Sequence, residues 1–208
     1  MKKTLLITIL FLGMMNLQAQ ESHFGARLAG SFSTFKATGD GASQWNDNSE
    51  GKPNIELGVV GEFMLSDQFA IAPELNYAGA GDIAKYSSNG FKSEIKFFTS
   101  YIQVPVMAKY YINDNFNLNF GPQIGFLMSA DAEVTLTYNG ETNSKTESIK
   151  DEFNSTEFAL NMGAGYKFEN GLFFDFRYSL GMSDLLKDSD AGNLKSSAIK
   201  FGVGYFFN

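Results

Sequence analysis

Cysteine is absent from the 208 residues, so the chain can neither form a disulfide nor carry a lipid on a cysteine. Histidine and tryptophan occur once each, as His23 and Trp45, and proline occurs four times. Basic residues are also scarce, since 16 of them face 23 acidic ones and the formal net charge is −7. This balance argues against nucleic acid as a partner, and the fold must hold together without covalent crosslinks.

Long apolar runs are missing beyond the first twenty residues. The run from Leu5 to Met15 follows Lys2 and Lys3 and precedes small and polar residues. This order is typical of a secretory signal peptide, so we expect residues 1–20 to be a leader and residues 21–208 to be the mature domain. An N-terminal anchor is the alternative. Because no later run reaches eighteen apolar residues, a helical membrane protein is excluded.

The remaining chain is rich in residues that favour strands, with 21 Phe, 9 Tyr and 21 Gly. Large apolar residues alternate with small or polar ones in eight segments. In the last segment, for example, Ile199, Phe201 and Val203 alternate with Lys200 and Gly202. A period of two predicts β-strands. The eight segments are 24–33, 55–65, 69–79, 102–112, 116–128, 156–168, 172–182 and 198–207.

The connections between these segments alternate in length. Three are short turns, at 66–68, 113–115 and 169–171. Four are long and polar, at 34–54, 80–93, 131–155 and 184–196. This asymmetry predicts an all-β fold, an eight-stranded antiparallel up-and-down transmembrane β-barrel with short periplasmic turns and long external loops. Both mature termini would then be periplasmic. A soluble lipocalin-like barrel, with its polar face outward, is the structural alternative.

The small and charged face of the strands is expected to line the lumen, since glycines leave room there for charged side chains. An unpartnered buried charge is costly, so these charges should pair and close the lumen. Aromatic residues near the strand ends, among them Tyr110, Tyr111 and Phe173, are expected to form girdles at the two membrane interfaces. The predicted lumen charges are Arg27, Glu56, Glu62, Glu74, Lys109, Glu157, Lys167, Asp175, Arg177 and Lys200.

The segment from Ser100 to Tyr111, SYIQVPVMAKYY, resembles the central strand of the Bacteroidetes outer-membrane β-barrel family, the porin-family or PorT-like small barrels. The glycine-bearing first and last strands and the segment Arg177–Gly181 are also similar to that family. The resemblance implies residence in the outer membrane and contact with its lipids. The aromatic ending at 205–207 is typical of the signal read by the outer-membrane barrel assembly machinery. No functional residue, cofactor or metal follows from the resemblance.

Enzymatic chemistry finds little support in the residue inventory. His23 stands at the periplasmic start of the first strand, so it cannot serve a catalytic site at the external rim. Glu62 and Glu74 resemble an acid–base pair, but partnership with lumen cations is the favoured interpretation. The acidic loop residues match no calcium-binding spacing. Trp45, in a long loop, is a candidate contact residue for a partner or a sugar, and packing against its own loop is the alternative.

The leading functional hypothesis is therefore a non-enzymatic outer-membrane protein, with a structural or surface-interaction role through its external loops. An extracellular ligand or an envelope protein would be its partner. The alternatives are a small passive pore, an accessory component of protein secretion, a lipid-modifying enzyme and a soluble lipocalin-like ligand binder.

Overall fold

A computed structural model describes residues 21–39, 42–88, 90–188 and 192–207. The predicted leader, residues 1–20, lies outside this part of the chain. The described elements are β1 (Ser22–Ala37), α1 (Ala42–Asn48), β2 (Lys52–Met64), β3 (Phe69–Ser88), β4 (Phe91–Tyr111), β5 (Phe116–Tyr138), β6 (Glu141–Ser148), a 3-10 turn (Lys150–Glu152), β7 (Thr156–Lys167), β8 (Leu172–Gly181) and β9 (Leu194–Phe206).

Eight of these strands are hydrogen-bonded into a closed ring in the order β1-β2-β3-β4-β5-β7-β8-β9. All pairings are antiparallel, and β9 returns to β1 to close the ring. The predicted eight-stranded antiparallel up-and-down arrangement is therefore confirmed. Strands that are four places apart in this order, such as β3 and β8, β2 and β7, or β4 and β9, stand on opposite walls.

The strand bounds predicted at one end of the ring are wrong. Segment 80–93, predicted as a polar loop, instead continues β3 and β4, and segment 131–155 contains the end of β5 and all of β6. The strand β6 pairs with the upper part of β5 and is not in the ring. The extended parts of β3, β4 and β5, together with β6, form a four-stranded sheet that stands beyond the ring. We call this end the long-loop end, and the opposite end the short-turn end.

A β-bulge in β5 separates the ring from the extended sheet. Tyr101 of β4 pairs with Leu127, whereas Ser100 pairs with Ser129, so Met128 is an extra residue in β5. Neighbouring residues in a strand face opposite ways. One extra residue therefore changes the inward-facing positions from odd-numbered to even-numbered residues. Odd-numbered residues of β5 point into the ring below Met128. Above it, even-numbered residues such as Ala130 point inward.

The two faces of the ring differ in polarity. The outer face presents large apolar residues such as Leu57, Phe120 and Phe201, each more than half exposed. The inner face carries glycines and buried polar side chains, among them Arg27 and Glu62. None of the helices in the described ranges is long and apolar enough to cross a membrane. The sequence alternation thus separates an apolar exterior from a charged interior.

Candidate functional site

The middle of the interior holds a chain of ion pairs around Arg27. The Arg27 guanidinium donates two hydrogen bonds of 2.7 Å to Asp175 and also bonds Glu56. Lys200 donates to the second oxygen of Glu56 at 2.6 Å, and to the side-chain oxygen of Gln103 at 3.2 Å. Since β9 and β4 lie on opposite walls, the bond from Lys200 to Gln103 crosses the interior. These side chains form one connected layer.

A second layer joins Arg177 and Glu74 on opposite walls. The guanidinium of Arg177 donates two hydrogen bonds, of 2.9 and 2.8 Å, to the two carboxylate oxygens of Glu74. The Nε of Arg177 lies 3.1 Å from Asp175, and Asn76 donates to both Glu74 and Glu56 at 3.1 Å. The two layers are therefore continuous. A planar guanidinium with two parallel bonds to a carboxylate is the strongest geometry for such a pair.

A third layer, nearer the short-turn end, is centred on Glu62. Lys109 and Lys167 donate to its two oxygens at 2.6 and 2.9 Å, and the hydroxyl of Tyr111 donates at 2.8 Å. Lys167 reaches Glu62 from the opposite wall. Tyr111 and Phe173 point inward and are buried, so their expected place in an aromatic girdle is wrong. Tyr111 shares the parity of Lys109 along β4, and this signal in the sequence identifies it as a lumen residue.

Glu157 differs from the other predicted lumen charges. It is buried and accepts a hydrogen bond from the hydroxyl of Ser196. Within the described residues no cation lies within 4.0 Å of its carboxylate. The expectation that every lumen charge has an oppositely charged partner is therefore wrong at this position. The reason is spatial, because β7 places Glu157 towards the long-loop end, in register with Gly125, whereas the ammonium of Lys200, which acts on it electrostatically, is bonded to Glu56 and Gln103.

Glycines on the inner face make room for the charged layers. A Cβ atom on Gly58 would lie 1.8 Å from the Oδ1 of Asn76. A Cβ atom on Gly202 would lie 2.7 Å from Asp175 and 2.8 Å from Arg27. All three distances are too short for a real contact. The small residues that alternate with large ones in the sequence are thus required by the side chains that fill the interior.

The residues considered for catalysis do not form a reactive site. Glu62 and Glu74 belong to separate charged layers, and each is bound by its own cations. His23 lies at the short-turn end, buried against Phe206 with its ring centre 5.6 Å from that ring, and 3.5 Å from Glu21. In the described part of the chain no group of three or more His, Asp or Glu side chains has an arrangement suited to a metal ion.

At the long-loop end, Asp82 fastens the connection between β1 and β2 to the ring. Its buried carboxylate accepts bonds from the backbone N–H groups of Phe35, Gly51 and Ile83 at 2.6, 3.0 and 2.7 Å. The hydroxyl of Ser49 adds a bond of 2.7 Å. The sequence prediction missed Asp82 because it assigned residues 80–93 to a loop. Asp82 has an even number, as do Glu74 and the other inward residues of β3. This parity was the signal in the sequence that could have identified Asp82 as an inward residue.

Above the charged layers, apolar side chains close the interior and leave an open cleft. The buried part of this cluster includes Phe35, Leu127, Phe153 and Leu194. The cleft beside it has a volume of about 520 Å³, within the ordinary range for small-molecule sites. Its apolar wall is formed mainly by Trp45, Ile95, Phe97, Val134, Phe153 and Leu194.

Trp45 lies on α1 and is fixed in the wall of the cleft. Its indole N–H donates to the backbone oxygen of Phe35 at 2.9 Å, and its ring meets that of Phe97 edge-on at 5.4 Å. The side chain is half-buried. These contacts show Trp45 packed against its own loop, which was the alternative role considered for it. The remaining surface of the ring faces the cleft.

A closed antiparallel ring of eight strands, apolar outside and charged inside, is the architecture of an outer-membrane barrel. The chain belongs to the outer membrane protein beta-barrel domain family, whose model matches residues 18–187. This membership places the protein in the outer membrane.

Three of the solved structures that resemble the chain are bacterial proteins. The Yersinia pestis attachment invasion locus protein Ail, solved in complex with the heparin analogue sucrose octasulfate, is 14% identical, with 90% of this chain and 99% of that chain covered and a TM-score of 0.45. Neisserial surface protein A is 9% identical, with 90% and 99% covered and a TM-score of 0.48. OprG from Pseudomonas aeruginosa is 15% identical, with 91% and 97% covered and a TM-score of 0.39. No curated protein sequence matches the chain.

Proposed function

We propose that the protein is a non-enzymatic surface barrel with a closed lumen, which acts through its long-loop end outside the cell. One observation carries the proposal: Glu74, Glu62 and Gln103 are each bonded to a cation on the opposite wall, at three levels of the interior. Such bonds occupy the path that ions or solutes would need. The cleft and the extended sheet remain as surfaces open to an extracellular ligand.

The orientation follows the usual rule for such barrels, with short turns and both termini in the periplasm. Protease sites inserted at two turns test it in intact cells. We expect cleavage at a site between Asn139 and Gly140, in the turn that joins β5 to β6, and protection of a site between Asp114 and Asn115. Cleavage of the second site in cells with an intact outer membrane would contradict the proposed orientation.

Planar-bilayer recording tests the closed lumen. We expect the folded chain to give no steady conductance, because opening a path requires several buried ion pairs to separate at once. A steady conductance of the unaltered protein would instead support a passive pore.

Membership of the PorT-like group and a role in protein secretion are supported by the resemblance of residues 100–111, of residues 177–181 and of the first and last strands. Crosslinking from an unnatural amino acid placed in β6, for example at Ser144, tests this role. Capture of a secretion component in the outer membrane would favour it over an independent surface protein.

A further inference from the structure

Two lysines stand opposite each other on the outer face of the barrel, near its long-loop end. Lys36 of β1 pairs directly with Lys195 of β9. Both side chains are exposed, whereas their neighbours Phe35 and Leu194 are buried in the apolar cluster of the interior. Because alternate residues of a strand face opposite ways, the two lysines point away from the barrel axis. Directly opposed residues have Cβ atoms about 5 Å apart, so both ammonium groups can reach one ligand.

This lysine pair has no counter-charge in the described part of the chain. No carboxylate of the described residues lies within 4.0 Å of either ammonium, and neither ammonium donates a hydrogen bond to any of these residues. Other lysines of the long-loop end are neutralised, since Lys85 and Lys96 lie 2.6 and 2.7 Å from carboxylates. Like charges directly opposite each other destabilise a sheet. An anion held between Lys36 and Lys195 would remove that repulsion.

Below the lysine pair, the outer face of β1 and β9 is apolar. Phe32 pairs with Ile199, and both are half exposed. On these two strands no charged residue occupies the outer face between the lysine pair and the short-turn end. Lys36 stands four residues beyond Phe32, about 13 Å along the strand and roughly 10 Å along the axis of a barrel with strands tilted by 35–45°. In a bilayer that covers the apolar face, this distance places the lysines at the level of the lipid head groups.

We propose that Lys36 and Lys195 bind the phosphate group of a membrane lipid whose acyl chains lie along the apolar face of β1 and β9. A phosphate monoester offers three acceptor oxygens and a charge of about −1.5 to −2, which matches two ammonium groups. The contact of an acyl chain with Phe32 and Ile199 favours a lipid over a free anion. The inference rests on the proposed function, because an external long-loop end places the lysines in the leaflet that holds phosphorylated glycolipid.

Native mass spectrometry of the folded chain in a neutral detergent tests the site, with diphosphoryl lipid A as the probe. The same lipid without its two phosphates, and inorganic phosphate as a competitor, are the comparison arms. We expect diphosphoryl lipid A to bind and the double variant Lys36→Gln with Lys195→Gln to bind it about thirtyfold more weakly, since a lysine near an anionic surface contributes about fivefold. Added salt should reduce this difference, because exposed charges are screened.

Lys92 supplies a matched control, because it is another exposed lysine without an ion pair among the described residues and lies near the tip of the extended sheet. Lys92→Gln removes the same charge and should leave the binding of lipid A unchanged. The double variant Lys36→Arg with Lys195→Arg keeps both charges and should retain binding. The mobility of unheated samples on gels verifies that each variant is folded.

Three results would overturn the inference: equal binding of the lipid without phosphates, undiminished binding in the double glutamine variant, or inorganic phosphate that binds as tightly as lipid A. A photoreactive amino acid in place of Phe32, activated in living cells, separates the inference from the proposed function. Capture of phospholipid in place of phosphorylated glycolipid in cells, with lipid A still bound by the lysine pair in detergent, would support the site and contradict the external orientation.

Discussion

Glu74 and Arg177 lie 103 positions apart in the sequence and are joined by two hydrogen bonds, of 2.9 and 2.8 Å, between opposite walls of the barrel. The strands that carry them, β3 and β8, are separated by three other strands on one side and three on the other. The pair therefore forms only when the sheet has closed. It links barrel closure to the pairing of two otherwise costly buried charges.

Removing one member of this pair should be more harmful than removing both. Arg177→Met leaves the Glu74 carboxylate buried without its main partner, at a cost of about 3–5 kcal/mol. The double variant Arg177→Met with Glu74→Leu should recover much of this loss, because no buried charge is stranded. Urea unfolding in phospholipid vesicles, followed by the mobility of the folded form on unheated gels, measures both. A double variant less stable than the single one would contradict this account.

Gly202 should tolerate no side chain. Gly202→Ala brings a methyl group against Arg27 and Asp175, which their hydrogen bonds hold in place, so we expect a loss of about 1–3 kcal/mol. Gly30 is a matched control, since it lies on the outer face of β1 and nothing stands within 4 Å of a Cβ atom there. Gly30→Ala should change the free energy of unfolding by less than about 0.5 kcal/mol. Equal effects at the two sites would show that Arg27 and Asp175 can move enough to admit a side chain at Gly202.

Neutralising Glu157 and neutralising Glu62 should have opposite effects. Glu157→Gln keeps a hydrogen-bonding side chain for Ser196 and removes the cost of burying a charge without a cation, so stability should stay the same or rise. Glu62→Gln leaves Lys109 and Lys167 without their anion and should cost several kcal/mol, roughly 3–5. The same urea experiment measures both. A strong loss in Glu157→Gln would indicate that the carboxylate is needed as an anion.

Deleting Met128 should remove the bulge without exchanging the faces of β5. Leu127 would then be followed directly by Ser129, which already pairs with Ser100, so Ala130 and Ala132 would stay on the inward face and the register with β4 would be kept. We expect the extended sheet to stay protected from proteolysis and the barrel to keep the gel mobility of its folded form. Exchange of Met128 for Leu keeps the residue count and should also leave the sheet protected. Rapid proteolysis between β3 and β6 in the deletion variant alone would show that the sheet depends on the bulge itself.

Much of the fold was predictable because the barrel imposes one rule on every strand. Each residue faces either the apolar exterior or the charged interior, so a period of two marks the strands directly. The positions of Arg27, Lys109 and Arg177 on the inner face follow from parity, once the small and charged face of the strands is assigned to the lumen. Which cation meets which anion does not, because partners such as Glu62 and Lys167 lie on strands that are far apart in sequence and are brought together by closure.

The long-loop end was harder to predict for a physical reason. Both faces of the extended sheet are partly exposed, so polar residues are tolerated on them, and segments 80–93 and 141–148 show no clear apolar alternation. Hydrogen bonds between neighbouring strands hold this sheet, and single-strand patterns do not record them. The inward position of Asp82 was missed because residues 80–93 were assigned to a loop. Glu157 shows the converse limit, since correct parity placed it inside without revealing that no cation of the described residues would form an ion pair with it.

The extra residue at Met128 has a consequence for how this protein can vary. Below it the even-numbered Leu118 and Phe120 face outward, and above it the even-numbered Ala132 and Val134 face the cleft. Any change in length that adds or removes two residues per strand above this point keeps every side chain on its present face. The length of the sheet beyond the ring can therefore change in steps of about 7 Å along the strand, with no adjustment in the ring.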